Sequence, residues 1–259
     1  MAETMLKVEN LWKNFGGLTA VSEYTLELPQ GEIYGLIGPN GAGKTTVFNL
    51  ISGVLKPSRG KILFRGVDIT WLRPDQISAL GLTRTFQNLR LFPSLSVAMN
   101  LRIACHIHTR SSFLSTLFSA PSFFREEREI ERKVERILEL FSMQDFREEI
   151  ASNLPYGWQR KLDIARALMC EPKLLLLDEP SAGMNTKEAE DLAVLVRRIH
   201  EEFRLTMMIV EHRMPFVMGL ARRIQVLDYG SVIAFGTPEE IRSDPRVIEA
   251  YLGAGDLIA

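Results

Sequence analysis

Gly38-Pro39-Asn40-Gly41-Ala42-Gly43-Lys44-Thr45 fills the pattern G-x-x-x-x-G-K-[ST] at every fixed position. Each residue type has a chemical reason to stand there. Glycines reach positive φ and let backbone N–H groups close around phosphate oxygens. The lysine ammonium reaches the β- and γ-phosphates of a nucleotide, and the threonine hydroxyl offers an oxygen to Mg²⁺. Such a loop needs a buried strand before it and, after it, a helix whose N-terminus adds partial positive charge. Ile33–Ile37 is apolar on both faces, as in a buried parallel strand. Val47, Leu50 and Ile51 share one helical face, and Gly53 stands where a C-terminal cap is expected.

Leu174-Leu175-Leu176-Leu177-Asp178-Glu179 brings two carboxylates to the C-terminal end of an apolar strand. Ligands in open parallel sheets bind at that edge. Asp178 would hold the water shell of Mg²⁺, and Glu179 would polarise the water that attacks a γ-phosphate. An apolar run ending in Asp-Glu is by itself an ordinary strand exit; beside the phosphate loop it becomes the second half of a hydrolytic site. His212 follows the apolar run Met207–Val210 and Glu211, so its imidazole is expected at the same sheet edge, near a γ-phosphate oxygen. His106, His108 and His200 have no motif around them. Gln87, in Thr85-Phe86-Gln87-Asn88, carries no signal of its own.

The elements that must position these groups alternate. Leu6, Val8, Tyr24, Leu26 and Leu28 alternate with polar residues, and Pro29-Gln30-Gly31 is a turn into Ile33–Ile37. Lys61–Ile69 reads as one further strand. Residues 96–124 are rich in Ser and Phe without a firm period. Ile130, Val134, Ile137, Leu138 and Phe141 then define an amphipathic helix whose charged face, Arg125 to Arg136, is expected to be simply solvated. Leu192, Leu195, Val196, Ile199 and Phe203 form a second helical stripe, and Thr206–Val210 a strand. Ile224–Leu227 and Val232–Phe235 flank a hairpin turn at Asp228-Tyr229-Gly230-Ser231. Strands alternating with helices at both ends, around a helical middle, predict an α/β core with a helical insertion.

Composition excludes several classes. The 259 residues carry 31 basic and 32 acidic side chains, a net charge of −1, which argues against nucleic acid as the main partner. Cys105 and Cys170 form no CxxC pair and fit a reducing compartment as small buried residues. The longest stretch free of Asp, Glu, Lys and Arg is Ser111–Phe124, 14 residues with five serines and a proline. A membrane span needs ~20 predominantly apolar residues. Met1–Lys13 shows no apolar core of a secretory signal. The expected place is the cytoplasm, unless another protein holds the chain at a membrane.

Taken together these pieces resemble an ATPase subunit of an ABC transporter, over about residues 5–253, with 254–259 as a tail. The order is that family's: an aromatic for adenine (Phe15), the phosphate loop, the Q-loop (Gln87), the signature, the acidic strand, the D-loop and the switch histidine. Leu154-Pro155-Tyr156-Gly157-Trp158 and the following helix look like the signature; Ser181-Ala182-Gly183-Met184-Asn185 looks like the D-loop. The resemblance implies an α/β ABC ATPase fold: a P-loop NTPase (RecA-like) core, an antiparallel β subdomain, and a helical subdomain inserted over about 88–168. It implies ATP on Phe15 and on Gly38–Thr46 (with Thr46 after Thr45), and Mg²⁺ on Thr45, Gln87 and Asp178. Glu179, His212 and Gln87 would be catalytic. It further implies a head-to-tail dimer with a second ABC ATPase, the signature of each chain acting on its partner's ATP. Two integral-membrane permeases, and indirectly a periplasmic or extracellular solute-binding protein, would complete the system at the cytoplasmic face of the inner membrane.

Finer features are similar to bacterial branched-chain amino-acid importers, and to the larger of their two ATPases: the C-terminal run Gly236–Gly253 and the extra residues around 104–128. The signature departs from the common Leu-Ser-Gly-Gly-Gln. Pro155 lacks both the hydroxyl and the N–H of a serine: either the site it builds for the partner's ATP is weaker, or Pro155 simply starts the signature helix, where proline is tolerated. Urea and lipopolysaccharide systems stay open within transport. A P-loop GTPase would need an Asn-Lys-x-Asp that is absent from the sequence, and a non-transport ABC protein of translation or DNA repair would usually carry two cassettes or a long coiled coil, whereas this sequence has one cassette and no basic tract. A non-hydrolysing ATP-binding regulator would leave Glu179 idle.

Overall fold

Alternating burial along the first thirty residues produces two long antiparallel strands, β1 (Thr4–Phe15) and β2 (Leu18–Pro29). The structure, a computed structural model, describes residues 3–105 and 121–253. These divide into two compact units. One is made of residues up to Gln87 together with those from Lys173 onward; the other spans Asn88–Pro172.

The first unit holds two sheets. Strands β1 and β2 join β4 (Arg59–Phe64) and β5 (Val67–Asp68) in an antiparallel sheet of order β2-β1-β4-β5. The single strand expected over Lys61–Ile69 is therefore two. Arg65 and Gly66, at φ 49° and 78°, form a two-residue turn between them, the positive-φ pair that matches the twist of a tight hairpin. The other sheet has the order β10-β9-β3-β8-β7-β6, with β3 (Ile33–Ile37), β6 (Leu82–Arg84), β7 (Leu174–Asp178), β8 (Thr206–Val210), β9 (Arg223–Asp228) and β10 (Ser231–Gly236). All its pairings are parallel except the edge pair β9–β10, which is the expected hairpin. Strands β3, β7 and β8 are buried at every residue, because both faces of a parallel sheet are covered. Tyr34, Leu36, Phe48, Ile51, Leu176 and Met208 lie in one apolar core with the inner residues of β1 and β2.

Helix α1 (Lys44–Ile51) follows β3 and ends as expected: Gly53 takes φ 74° just beyond the cap residue Ser52. Short helix α2 (Pro74–Ala79) precedes β6. Thr186–Phe203, between β7 and β8, is helical with Leu192, Leu195, Val196 and Ile199 buried, but Phe203 is 37% exposed and does not belong to the core stripe.

The second unit is helical. Helix α3 (Val97–Cys105) lies where no period was visible; Val97, Ala98, Asn100, Leu101, Ala104 and Cys105 are all buried, so its apolar face is too broad to show a stripe. Buried Asn100 pins the preceding loop, accepting from Phe92 N–H and donating to the carbonyls of Phe92, Leu95 and Ser96. Helix α4 (Pro121–Leu140) buries Ile130, Val134, Ile137 and Leu138 as predicted. Its charged face is not merely solvated. Glu127 and Glu131 pair with Arg102, Glu131 and Glu135 with Arg147, and Lys133 with Glu171 at 2.6 Å. Helix α5 (Tyr156–Met169) carries the signature at its start. His106 and His108, most of the unpatterned Ser- and Phe-rich stretch, and the tail 254–259 lie outside the described residues.

The helix between β7 and β8 is α6 (Thr186–Phe203); α7 (Met214–Met218), α8 (Pro238–Ser243) and α9 (Pro245–Gly253) complete the first unit. Among the described residues no helix is long and apolar enough to cross a membrane.

Candidate active site

The loop from Gly38 to Thr45 joins β3 to α1, and its glycines are required by space. A Cβ on Gly38 would stand 2.1 Å from the Leu227 carbonyl oxygen. On Gly43, at φ 102°, it would stand 2.5 Å from the Ala20 oxygen. Gly43 is also the N-cap of α1 and offers no capping side chain, so first-turn N–H groups are left for an anion. Lys44 is buried, and its Nζ donates to the carbonyls of Gly38 (2.6 Å) and Pro39 (2.9 Å). Thr45 is exposed and Thr46 half-buried.

The β9–β10 turn braces this loop. Gly230 N–H donates to the Ala42 oxygen at 2.9 Å, while the Gly230 oxygen accepts from Ser22 N–H at 2.8 Å. Tyr229 and Gly230 sit at φ 43° and 82°. One turn residue thus ties the phosphate loop to β2, whose neighbour β1 ends at Phe15. Phe15 is 46% exposed, with Lys13 Nζ 4.9 Å from its ring centroid.

Asp178 and Glu179 leave β7 buried. Glu179 N–H still bonds the Val210 oxygen at 2.9 Å, yet its φ is 47°, a left-handed conformation that a non-glycine residue adopts only when its surroundings enforce it. Its carboxylate Oε2 accepts from Gln87 Nε2 at 2.7 Å, and Oε1 shares a 2.6 Å hydrogen bond with His212 Nε2. Three residues from three separate segments meet at one carboxylate.

The D-loop segment is tied to the histidine's own strand end. Glu211, buried, accepts from Ser181 N–H (2.7 Å) through one oxygen and from His212 N–H (3.0 Å) through the other. Arg213 donates to the carbonyls of Met184 and Asn185. Asn185 caps α6: its side chain accepts from Glu188 N–H, and the Glu188 carboxylate accepts from Asn185 N–H, each at 2.9 Å. Ala182 and Gly183 form the turn between these ends, Gly183 at φ 76°.

The segment expected to be the signature, Leu154–Trp158, lies in the second unit. Leu154 is buried and Pro155, extended, is the N-cap of α5, its oxygen accepting from Trp158 and Gln159 N–H. Tyr156 is 43% exposed, and its hydroxyl accepts from Arg160 Nε at 3.0 Å. Gly157 is half-buried, and Trp158 is held between the Phe146 ring (centroids 4.9 Å apart) and Lys161 Nζ (4.2 Å from its centroid).

Three residues that contact the candidate site escaped the sequence reading: Arg84, bonded to Asp178 at 2.7 Å, Glu211 and the loop-bracing Gly230. Each acts on a residue remote in sequence. Only Gly230 carried a local signal, as part of the hairpin turn.

Thr45, Gln87 and Asp178 offer a hydroxyl, an amide and a carboxylate, hard oxygen donors of the kind Mg²⁺ takes. Among the described residues no group of three or more His, Cys, Asp or Glu is placed to cage a metal.

The family model described as ABC transporter matches residues 21–182, and one described as branched-chain amino acid ATP-binding cassette transporter matches 231–256. The chain is 43% identical to the high-affinity branched-chain amino acid transport ATP-binding protein BraF of Pseudomonas aeruginosa, covering 98% of this chain and 99% of that one. It is 44% identical to LivG of Escherichia coli K12, again over 98% and 99%. A crystal structure of the ADP conformation of an ATP-binding cassette of an ABC transporter superposes with a TM-score of 0.83 at 32% identity, covering 96% of this chain and 99% of that one. With the loop, the acidic strand end and both sheets arranged as above, the chain belongs to the ABC transporter family as one of its ATP-binding, ATP-hydrolysing subunits.

Proposed function

We propose that this subunit drives uptake of branched-chain amino acids through separate membrane permeases. The hydrolytic half of the reading is carried by the Glu179 carboxylate, buried at the end of β7 with Gln87 and His212 on its two oxygens. The solute half rests on similarity to BraF and LivG that runs the length of the chain and includes the C-terminal family match at 231–256.

ATP would stack its base on Phe15 and lay its phosphates along Gly38–Thr46, where Lys44 would exchange the carbonyls of Gly38 and Pro39 for phosphate oxygens. Thr45, Asp178 and Gln87 would hold Mg²⁺, which when bound neutralises charge on the β- and γ-phosphates. Glu179 takes a proton from the attacking water, the bond from the γ-phosphorus to the β-phosphate oxygen breaks, and ADP keeps the electron pair. His212 orients Glu179 and then meets the γ-phosphate. The signature residues Leu154–Trp158 and the D-loop Ser181–Asn185 would serve the ATP of a second ABC ATPase in a head-to-tail dimer. Two permeases would hold the dimer at the cytoplasmic face, with a solute-binding protein delivering from outside.

The test is reconstitution with permeases and binding protein in liposomes. Leucine should stimulate ATP hydrolysis and be taken up, and Lys44→Ala should lose both. Stimulation by urea or another solute class, with none by leucine, isoleucine or valine, would overturn the solute assignment and leave the ATPase standing.

A further inference from the structure

Arg84 ends β6 three residues before Gln87. Its side chain is 5% exposed and faces an Asp178 side chain that is 3% exposed. Nη2 donates to Asp178 Oδ2 at 2.7 Å, and Nη1 donates to Asn49 Oδ1 at 2.8 Å and Ser52 Oγ at 2.9 Å. The guanidinium carbon lies 5.5 Å from the Phe48 ring centroid and 5.1 Å from that of Phe86. Phe48 and Asn49 belong to α1, the helix that begins with Lys44 and Thr45, and Ser52 is its C-cap. One planar fork therefore fastens the acidic end of β7 to the helix of the phosphate loop, a geometry that a lysine's single ammonium does not reproduce.

A buried arginine–carboxylate pair is weak evidence for stability, since desolvation offsets the attraction. What it does here is electrostatic. The pair sums to zero charge, and among the described residues no hydrogen bond or ion pair engages Asp178 Oδ1. The neighbouring acid, Glu179, is already bonded by Gln87 and His212. A divalent cation approaching Oδ1 alone finds a neutralised carboxylate with a fixed cation behind it. ATP phosphates supply the missing negative charge.

We propose that Arg84 positions Asp178 and cancels its charge, so that a divalent metal binds at this site together with nucleotide phosphates and not ahead of them. This rests on Asp178 being a metal residue, as in the proposed function. Even at the dielectric constant of water, a divalent ion about 5 Å from a guanidinium is repelled enough to weaken its binding about tenfold.

The measurement is Mn²⁺ binding followed by electron paramagnetic resonance, without nucleotide and with ATP, on the full chain. Wild type should bind Mn²⁺ weakly alone and much more tightly with ATP. Arg84→Met should bind nucleotide-free Mn²⁺ about tenfold or more tightly, the repulsion above being gone. Arg84→Lys keeps the charge and should stay near wild type. A merely structural Arg84 would lower the melting temperature of Arg84→Met and leave nucleotide-free Mn²⁺ affinity where it was; that result overturns the proposal, as does an Arg84→Lys value matching Arg84→Met. If Arg84→Met does not fold, Arg84→Gln, which keeps a hydrogen-bonding head, reads the same quantity. Asp178→Asn separates the two layers: unchanged Mn²⁺ binding in the presence of ATP would remove Asp178 from the metal site and sink the underlying reading instead.

Discussion

A carboxylate that takes a proton from water must turn a free lone pair toward it. Glu179 has Gln87 on one oxygen and His212 on the other, which fixes the carboxylate and still leaves a lone pair on each oxygen for the water. Glu179→Gln keeps the size of the side chain and removes its basicity. We expect it to bind ATP like wild type and to hydrolyse it about a hundredfold or more slowly, the usual contribution of a positioned general base. Single-turnover hydrolysis at saturating ATP checks this, and a wild-type rate would take the role of base away from Glu179.

At the scale of elements, the β9–β10 hairpin acts on the phosphate loop through one glycine. Gly230 joins Ala42 to Ser22, and a Cβ there would lie 2.8 Å from the Ala20 oxygen in a left-handed conformation. Gly230→Ala must therefore shift the turn or the strand, and with it the phosphate loop or β2, whose neighbour β1 carries Phe15, the residue proposed to stack the base. We expect ATP affinity to fall about tenfold, as for loss of one or two hydrogen bonds, in a chain that still folds. Equal affinity by calorimetry would show that the loop holds itself. This link also marks the limit of what the sequence makes legible. The phosphate loop, the Leu174–Glu179 strand end and the two helical stripes are contiguous or periodic, and the residues that make them lie side by side in the chain. Arg84 reaches partners 35 and 94 positions away, and Glu211 holds Ser181 from 30 positions away. Such contacts exist only once the sheet has ordered its strands. The charged face of α4 misleads for the same reason: Arg102 and Arg147, which pair with it, belong to other elements.

At the scale of the whole molecule, both units carry groups that burial holds protonated. The Cys105 thiol is pushed from 9.0 up to about 11, the Cys170 thiol is raised, and the Tyr24 and Tyr34 hydroxyls are raised by burial as well. A raised pKa in the folded chain means that the unfolded chain loses its proton first. The tyrosines, starting from 10.0, hold their contribution to stability to higher pH; for Cys105 the contribution is complete below pH 9 and is lost as pH rises through about 11. Melting temperature should fall between those values, and Cys105→Ala should fall less steeply than wild type; parallel curves would remove Cys105 from the cause.

In the proposed head-to-tail dimer the two ATP sites would be unequal. With Pro155 at the N-cap, the proposed signature would offer a partner neither the serine hydroxyl nor that N–H, although the Tyr156 hydroxyl, which accepts from Arg160, retains a proton to give. One hydrogen bond lost to a charged phosphate is worth ~1.5–3 kcal/mol. If the partner is a different ATPase with serine in its signature, the site using this chain's phosphate loop should turn over faster. Glu179→Gln in this chain should then slow the reconstituted transporter more than the matching change in the partner, and equal losses from independently firing sites would refute it.

The left-handed backbone of Glu179 has a consequence for how this position would drift in the absence of need. Holding a side-chain-bearing residue there costs about 1–2 kcal/mol, which glycine avoids. Glu179→Gly relieves that strain and at the same time gives up the hydrogen bonds to Gln87 and His212, so its melting temperature weighs one against the other, and the variant should be inert toward ATP. A higher melting temperature with hydrolysis lost would mean that the glutamate is kept against the grain of its own backbone; a lower one would mean that its two partners hold it there, and retained hydrolysis would take the role of base away from it.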